Sequence, residues 1–81
     1  MITTEMIVRY RPEWCSEGER HYLHVVKENR MNPITGKMTR WLIETINAKN
    51  MILPPTEVVE ENMIESTGFN IQDYVPAQVS I

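Results

Sequence analysis

The stretch Asn32-Pro33-Ile34-Thr35-Gly36-Lys37 predicts the tip of a β-hairpin. Proline presets φ for the first loop position, and glycine supplies the left-handed residue that closes a four-residue turn. With residues 33–36 as the loop, Asn32 faces Lys37, and the same register places Val26 opposite Ile43. We therefore expect two long strands, over about residues 20–31 and 38–47, joined by this turn.

Both faces of the predicted hairpin mix apolar and polar side chains. Alternation along the strands gives the first face Leu23, Val25, Met31, Met38, Leu42 and Ile46. The second face carries Tyr22, Val26, Trp41 and Ile43. A helix is the rival interpretation of residues 38–47, but their β-branched and aromatic side chains favour a strand.

A shorter strand precedes the hairpin, and a helix is expected to follow it. Met6–Arg11 alternates as a strand that Pro12 ends, because proline cannot donate to a sheet. Thr56 is a good N-cap, and the glutamates that follow it favour the positive end of a helix dipole. Gly68 can end that helix in the left-handed conformation. The apolar alternation over about residues 70–75 also allows a last strand.

These elements predict an α+β fold, with residues 1–81 as a single domain. It consists of a small antiparallel sheet, namely a three-strand meander with the optional fourth strand at the C-terminus, and one helix packed on a face. A length of 81 residues leaves no room for a second core. A chain this short buries roughly 60–65% of its unfolded surface, so we expect it to gain stability from a partner.

Charge is divided unevenly along the chain. Residues 1–49 hold all eight Lys and Arg against six Glu, a net charge of +2. Residues 50–81 hold five acidic residues and no Lys or Arg, which brings the total to −3. Such polarity bears on the choice of partner rather than on the fold.

The cellular compartment is indicated by three weaker features. The first five residues are mostly polar, and no unbroken apolar run, such as Met51-Ile52-Leu53, is longer than three residues. Cys15 is the only cysteine, which excludes a disulfide within the chain and mildly favours a reducing environment. The sequence therefore predicts a soluble cytoplasmic protein with no membrane association.

Cys15, His21 and His24 are the residues that suggest a metal or catalytic site. On a strand the two histidines leave opposite faces, so one ion cannot bind both. A fourth ligand would have to be a glutamate, which is uncommon in structural zinc sites. A cysteine nucleophile needs a positioned base and an oxyanion hole, and no motif supplies them. We expect no metal, no cofactor and no enzymatic activity.

A protein partner is the main functional prediction. One helix covers only one face of the sheet, and large side chains on an uncovered face usually mark an interface. The predicted contact residues are Tyr22, Val26, Trp41 and Ile43 on the sheet, and Glu57 and Glu61 on the acidic helix. The chain is expected to be a non-enzymatic interaction module, such as a small inhibitor or accessory factor of the phage or mobile-element type. Its partner is another protein or a second copy, with a homodimer as the leading case.

The alternative prediction is a regulatory nucleic-acid-binding protein that uses the hairpin over residues 20–47. Arg30, Lys37 and Arg40 cluster near its tip, and aromatic residues on one face could stack on bases. The overall acidity of the chain and Glu28, on the same face as Trp41, argue against this alternative.

Overall fold

Five antiparallel strands form the sheet in the described part of the chain. The computed structural model describes residues 1–47 and 56–74. The strands are β1 (Met6–Tyr10), β2 (His24–Arg30), β3 (Arg40–Thr45), β4 (Thr56–Glu60) and β5 (Ile64–Asn70). They form one sheet in the order β4-β3-β2-β1-β5. Four 3-10 turns, Pro12–Trp14, Glu17–Glu19, Glu61–Met63 and Ile71–Asp73, are the only helical elements in the described ranges.

The two edge strands follow one another in sequence, so the sheet must curl. β4 ends at Glu60 and β5 begins at Ile64, a connection that spans at most about 14 Å. In a flat sheet the first and fifth strands would lie about 19 Å apart. The connecting 3-10 turn is held from both sides: Glu61 N donates to Thr39 O, and Arg11 N donates to Met63 O, each at 2.9 Å. The sheet therefore has a concave face that encloses a core.

The concave face carries the main hydrophobic core. Trp41 pairs with Val59 across β3 and β4, Val26 pairs with Ile43, and Tyr10 pairs with Ile64. The buried cluster comprises Ile2, Val8, Val26, Trp41, Ile43, Val59 and Ile64, all at most 8% exposed. On the opposite, convex face, the paired residues Ile7 and Val25 are buried as well. Burial of these apolar side chains is the main source of stability in such a small sheet.

The predicted hairpin is present, with one irregularity in its register. Gly36 has φ of +74°, as the turn requires, and Asn32 N donates to Lys37 O at 2.7 Å. Val26 lies opposite Ile43, but Glu28 lies opposite Leu42, so Lys27 forms a β-bulge.

The predicted α+β class is wrong, because the helix expected from Thr56 is absent. The same residues form β4, a 3-10 turn and β5. Thr56–Glu60 pairs residue by residue with β3, and its alternation places Val59 in the core while Val58 remains exposed. A helix of about twelve residues has marginal stability on its own. Pairing with the free edge of β3, in contrast, gives hydrogen-bond partners to the backbone groups along a whole strand.

The last strand expected over about residues 70–75 is also corrected in part. Residues Ile71–Asp73 form a 3-10 turn, so a strand does not begin there, and Val75 lies outside the described residues. The strand that completes the sheet is β5, which pairs with β1. None of the helical elements in residues 1–47 and 56–74 is long and apolar enough to cross a membrane.

Candidate functional site

The residues between β2 and β3 form a projecting loop, residues 31–39, which we call the arm. Gly36 N donates to Asn32 O at 2.8 Å. The side-chain Oδ1 of Asn32 accepts hydrogen bonds from the backbone N–H groups of Ile34 at 2.8 Å and Thr35 at 3.4 Å. Lys37 N donates to Thr35 Oγ1 at 3.3 Å. Asparagine side chains of this kind close Asx turns, and the conformation of the arm is therefore fixed by bonds within it.

The base of the arm is fastened to the sheet by polar side chains. Asn29 Nδ2 donates to Met38 O at 3.3 Å and to Arg40 O at 2.9 Å. Glu60 on β4 accepts hydrogen bonds from Asn32 Nδ2 at 3.2 Å and Thr39 Oγ1 at 3.0 Å. The hydrogen bond from Arg40, together with those from the arm, lowers the pKa of Glu60. The carboxylate stays ionised and ties the arm to β4.

Three apolar side chains are displayed on the arm, and we call them the arm tip. Ile34 is 87% exposed, while Met31 and Met38 are 55% and 56% exposed. Single exposed apolar residues are ordinary on protein surfaces, but here three lie within eight consecutive residues of one hydrogen-bonded loop. Methionine adapts its shape to a partner, and isoleucine supplies a rigid anchor. The arm tip is the candidate contact site.

The residues predicted for nucleic-acid binding lie at the arm but are largely paired with carboxylates. Arg30 Nε lies 2.8 Å from Glu28 Oε1, and Arg40 forms an ion pair with Glu60. Lys37 has no ion pair within the described ranges. Two of the three cations are thus already matched by acidic neighbours, and this weakens the electrostatic attraction that phosphate binding requires.

Most of the predicted protein-contact residues on the sheet lie in the core. Val26, Ile43 and Trp41 are 0%, 1% and 7% exposed, so the folded chain does not present them to a partner. Tyr22 lies outside the core in the connection before β2, half-buried, with its ring 4.4 Å from that of His21. The structure therefore does not bring these four residues together on one surface.

Glu57 and Glu61 do not share an acidic helix. Glu57 lies on β4 and accepts a hydrogen bond from the Tyr10 hydroxyl of β1. Glu61 begins the 3-10 turn and accepts a 2.8 Å hydrogen bond from Trp41 Nε1. The predicted acidic helix is therefore wrong. Glu57 and Glu61 lie on separate elements, and each accepts a hydrogen bond from an aromatic side chain of the curled sheet.

A small polar cluster lies at the end of the core where β1 ends and β2 begins. His24 is 6% exposed, its Nδ1 lies 3.0 Å from Thr45 Oγ1, and its ring packs edge-on against Tyr10 at 5.1 Å. Its Nε2 has no hydrogen-bond partner within the described part of the chain. Burial lowers the pKa of His24, and the nearby Glu57 charge opposes that shift. Burial and the Glu57 hydrogen bond raise the pKa of Tyr10, so both cluster members are neutral at pH 7.

A groove of about 470 Å³ lies at the corner where β4 passes to β5, and we call it the corner groove. Its lining includes Ile2 and Ile64, two members of the core cluster, together with Thr39 at the base of the arm. The charged side chains that line it are Glu60, Glu61, Glu65 and Arg11. Glu60 is ion-paired with Arg40, and Glu65 with Arg9 and Arg11, so Glu61 is the one lining carboxylate without an ion pair in the described ranges.

Cys15, one of the residues that suggested a metal or catalytic site, lies in the connection between β1 and β2. Cys15 Sγ is half-buried and contacts Arg11 O at 3.7 Å. In residues 1–47 and 56–74, no group of three or more His, Cys, Asp and Glu side chains is placed to hold a metal ion.

Comparison of the chain with protein-family models, with curated proteins and with solved structures found no match. The functional argument therefore rests on the residues of this chain.

Proposed function

We propose that this chain is a non-enzymatic protein-interaction module whose contact site is the arm tip. The observation that carries this proposal is the 87% exposure of Ile34 on a loop that is held by its own hydrogen bonds. A loop fixed before binding loses little conformational entropy on contact. An exposed branched side chain on such a loop contributes binding energy when a partner removes it from water.

The apolar side chains of the arm tip are better placed to contact a partner than to stabilise the fold. Ile34, Met31 and Met38 do not belong to the buried core cluster or to the partly buried residues packed against it. Exposed apolar side chains add little to the stability of a monomer. A partner with an apolar recess and acidic surroundings matches the arm, because Lys37 lies beside the exposed residues with no ion pair in the described ranges.

The test is partner capture from a nuclease-treated native lysate with the full chain as bait. Ile34→Ser should remove captured protein, while Val58→Ser, at an exposed apolar position on β4, should leave the captured set unchanged. Both variants should keep the native melting temperature to within a few degrees. Equal loss of capture in both variants, or no loss in either, would contradict the proposal. Capture that disappears with nuclease treatment would favour the nucleic-acid alternative.

A further inference from the structure

The sheet consists of two strand groups that meet along a short line of pairing, which we call the seam. β2, β3 and β4 pair with one another along most of their lengths, and β5 pairs with β1. In the described ranges β1 and β2 are in register at two positions, Ile7 with Val25 and Val8 with His24. A backbone hydrogen bond of 2.7 Å from Glu5 N to Val26 O extends this contact. The pairing that joins β1 and β5 to the other three strands is therefore short.

His24 lies in the seam with a ring that suits the neutral state. Its side chain is 6% exposed, Nδ1 lies 3.0 Å from Thr45 Oγ1, and Nε2 has no partner within the described part of the chain. A protonated imidazole carries an N–H on both nitrogens. Nε2 would then be a buried donor without an acceptor, on a ring whose charge is removed from water. Both effects are costly, so protonation favours a position of the ring outside the seam.

One side-chain hydrogen bond between the two strand groups lies next to this ring. The Tyr10 hydroxyl of β1 donates to the Glu57 carboxylate of β4. The Tyr10 ring packs edge-on against the His24 ring, with 5.1 Å between the ring centroids. Displacement of His24 therefore removes a packing surface of Tyr10 and weakens the seam and this hydrogen bond together.

The titratable groups near His24 do not offset the cost of protonation. They are Tyr10 of β1 and Glu57 of β4, and the connection before β2 adds Cys15 and Glu19 beside Tyr10. β3 contributes the neutral hydroxyl that Nδ1 already contacts. The Glu57 charge favours a proton on His24, but burial outweighs it and lowers the pKa of His24.

We propose that His24 is a pH-sensitive switch whose protonation opens the seam, so that β1 and β5 separate from β2, β3 and β4 while these three strands stay paired. Such a sub-global opening separates the part of a fold that has the fewest bonds to the rest. It exposes Val8 and Val26, which are fully buried in the closed sheet. The arm takes no part in this switch, which is therefore independent of the proposed function.

The size of the effect is limited by the two pKa values of His24. In the open form the ring is solvated and has a pKa of about 6.5, whereas burial lowers its pKa in the closed form. Opening is therefore favoured as the pH falls through about 6.5, until the closed-form pKa is passed. Between pH 7.5 and 5.5 the opening equilibrium should rise by about three- to tenfold, and about tenfold is the limit for one group of this open-form pKa.

The test is native-state hydrogen exchange of backbone amides at pH 7.5 and 5.5, in low concentrations of urea. The amides of β1 and β5 should be less protected than those of β3 at both pH values, with a smaller urea dependence, because opening exposes less surface than global unfolding. Their protection factors should be about three- to tenfold lower at pH 5.5. Equal protection of the β1, β5 and β3 amides, or protection of β1 and β5 that does not change with pH, would overturn the inference.

Two variants assign the effect to named groups. His24→Phe cannot be protonated and should give β1 and β5 the same protection factors at both pH values. Tyr10→Phe keeps the ring but removes the donor to Glu57, so it should lower protection of β1 and β5 at both pH values and retain the fall at pH 5.5. A fall that persists in His24→Phe would overturn the assignment to His24.

A titration of the native chain gives the same answer if His24→Phe does not fold. The NMR signals of the His24 ring report its pKa in the closed form. The protection factors of β1 and β5 should fall below about pH 6.5 and level off once that pKa is passed. Protection factors that start to fall only below the pKa of the His24 ring would overturn the inference.

Discussion

The indole Nε1 of Trp41 donates a 2.8 Å hydrogen bond to Glu61 Oε1. This bond joins a buried residue of β3 to the 3-10 turn that links the two edge strands. Trp41 is 7% exposed and packs with Val59 and Ile43. Its ring therefore fills part of the core, while its polar Nε1 atom has a hydrogen-bond partner at the edge of the core. Trp41, one of the predicted partner contacts, is thus a structural residue of the curled sheet.

Truncation of Trp41 should therefore unfold the chain. We expect Trp41→Ala to reduce the free energy of unfolding by about 3–5 kcal/mol, the usual cost of removing a large buried aromatic side chain. The matched control is Leu42→Ala, because the neighbouring side chain points to the convex face and remains half-exposed. The loss of unfolding free energy in Leu42→Ala should be clearly smaller. Urea unfolding of both variants checks this, and a larger loss for Leu42→Ala would show that the buried face is assigned incorrectly.

Gly36 should tolerate substitution less well than Gly18. Its φ of +74° favours glycine, whereas Gly18 has no left-handed φ, and a Cβ at either position meets no atom within 4 Å. Gly36→Val should cost roughly 1–2 kcal/mol of stability, and Gly18→Val should cost much less. Thermal melts of the two variants compare backbone strain directly. Equal melting temperatures would mean that the turn at the arm does not constrain the fold.

His24 should make stability depend on pH near neutrality. Its pKa in the folded chain is lowered, chiefly by burial, below an unfolded value of about 6.5. The unfolded chain consequently binds more protons as the pH falls through about 6.5, and the folded state loses stability until the folded pKa is passed. His24→Phe keeps an aromatic ring beside Tyr10 and should flatten this dependence between about pH 7.5 and 5.

Urea unfolding at several pH values compares the native chain with His24→Phe. An identical slope in the native chain and His24→Phe would contradict the assignment of the proton-linked loss to His24.

The sequence predicts best those features that depend on residues close together along the chain. The turn at Pro33–Gly36 follows from local φ preferences, and the Val26–Ile43 pairing follows from the turn. The bulge at Lys27 is a property of the assembled sheet, and no residue in the strand signals it. The N-cap pattern at Thr56 is equally local, but pairing with β3 overrides it.

The candidate site could be predicted only in part for the same reason. Both faces of the hairpin are mixed, so the buried face is decided by the curl of the sheet, which brings β4 and β5 together. The contact between Tyr10 and Glu57 joins strands that are not neighbours in the sheet, and residue spacing does not reveal it. The sequence places Ile34 in a loop, but its significance depends on its exposure on a fixed arm.

The central claim, that Ile34 is exposed for contact with another protein, is tested most directly by site-specific photocrosslinking. A photoreactive amino acid is placed at position 34, and at the exposed position 72 on the last 3-10 turn as a control, in the full chain in its native lysate. The account predicts protein adducts from position 34, of a second copy or another single protein, and none of these adducts from position 72. Crosslinks to nucleic acid alone, or the same adducts from both positions, would contradict it.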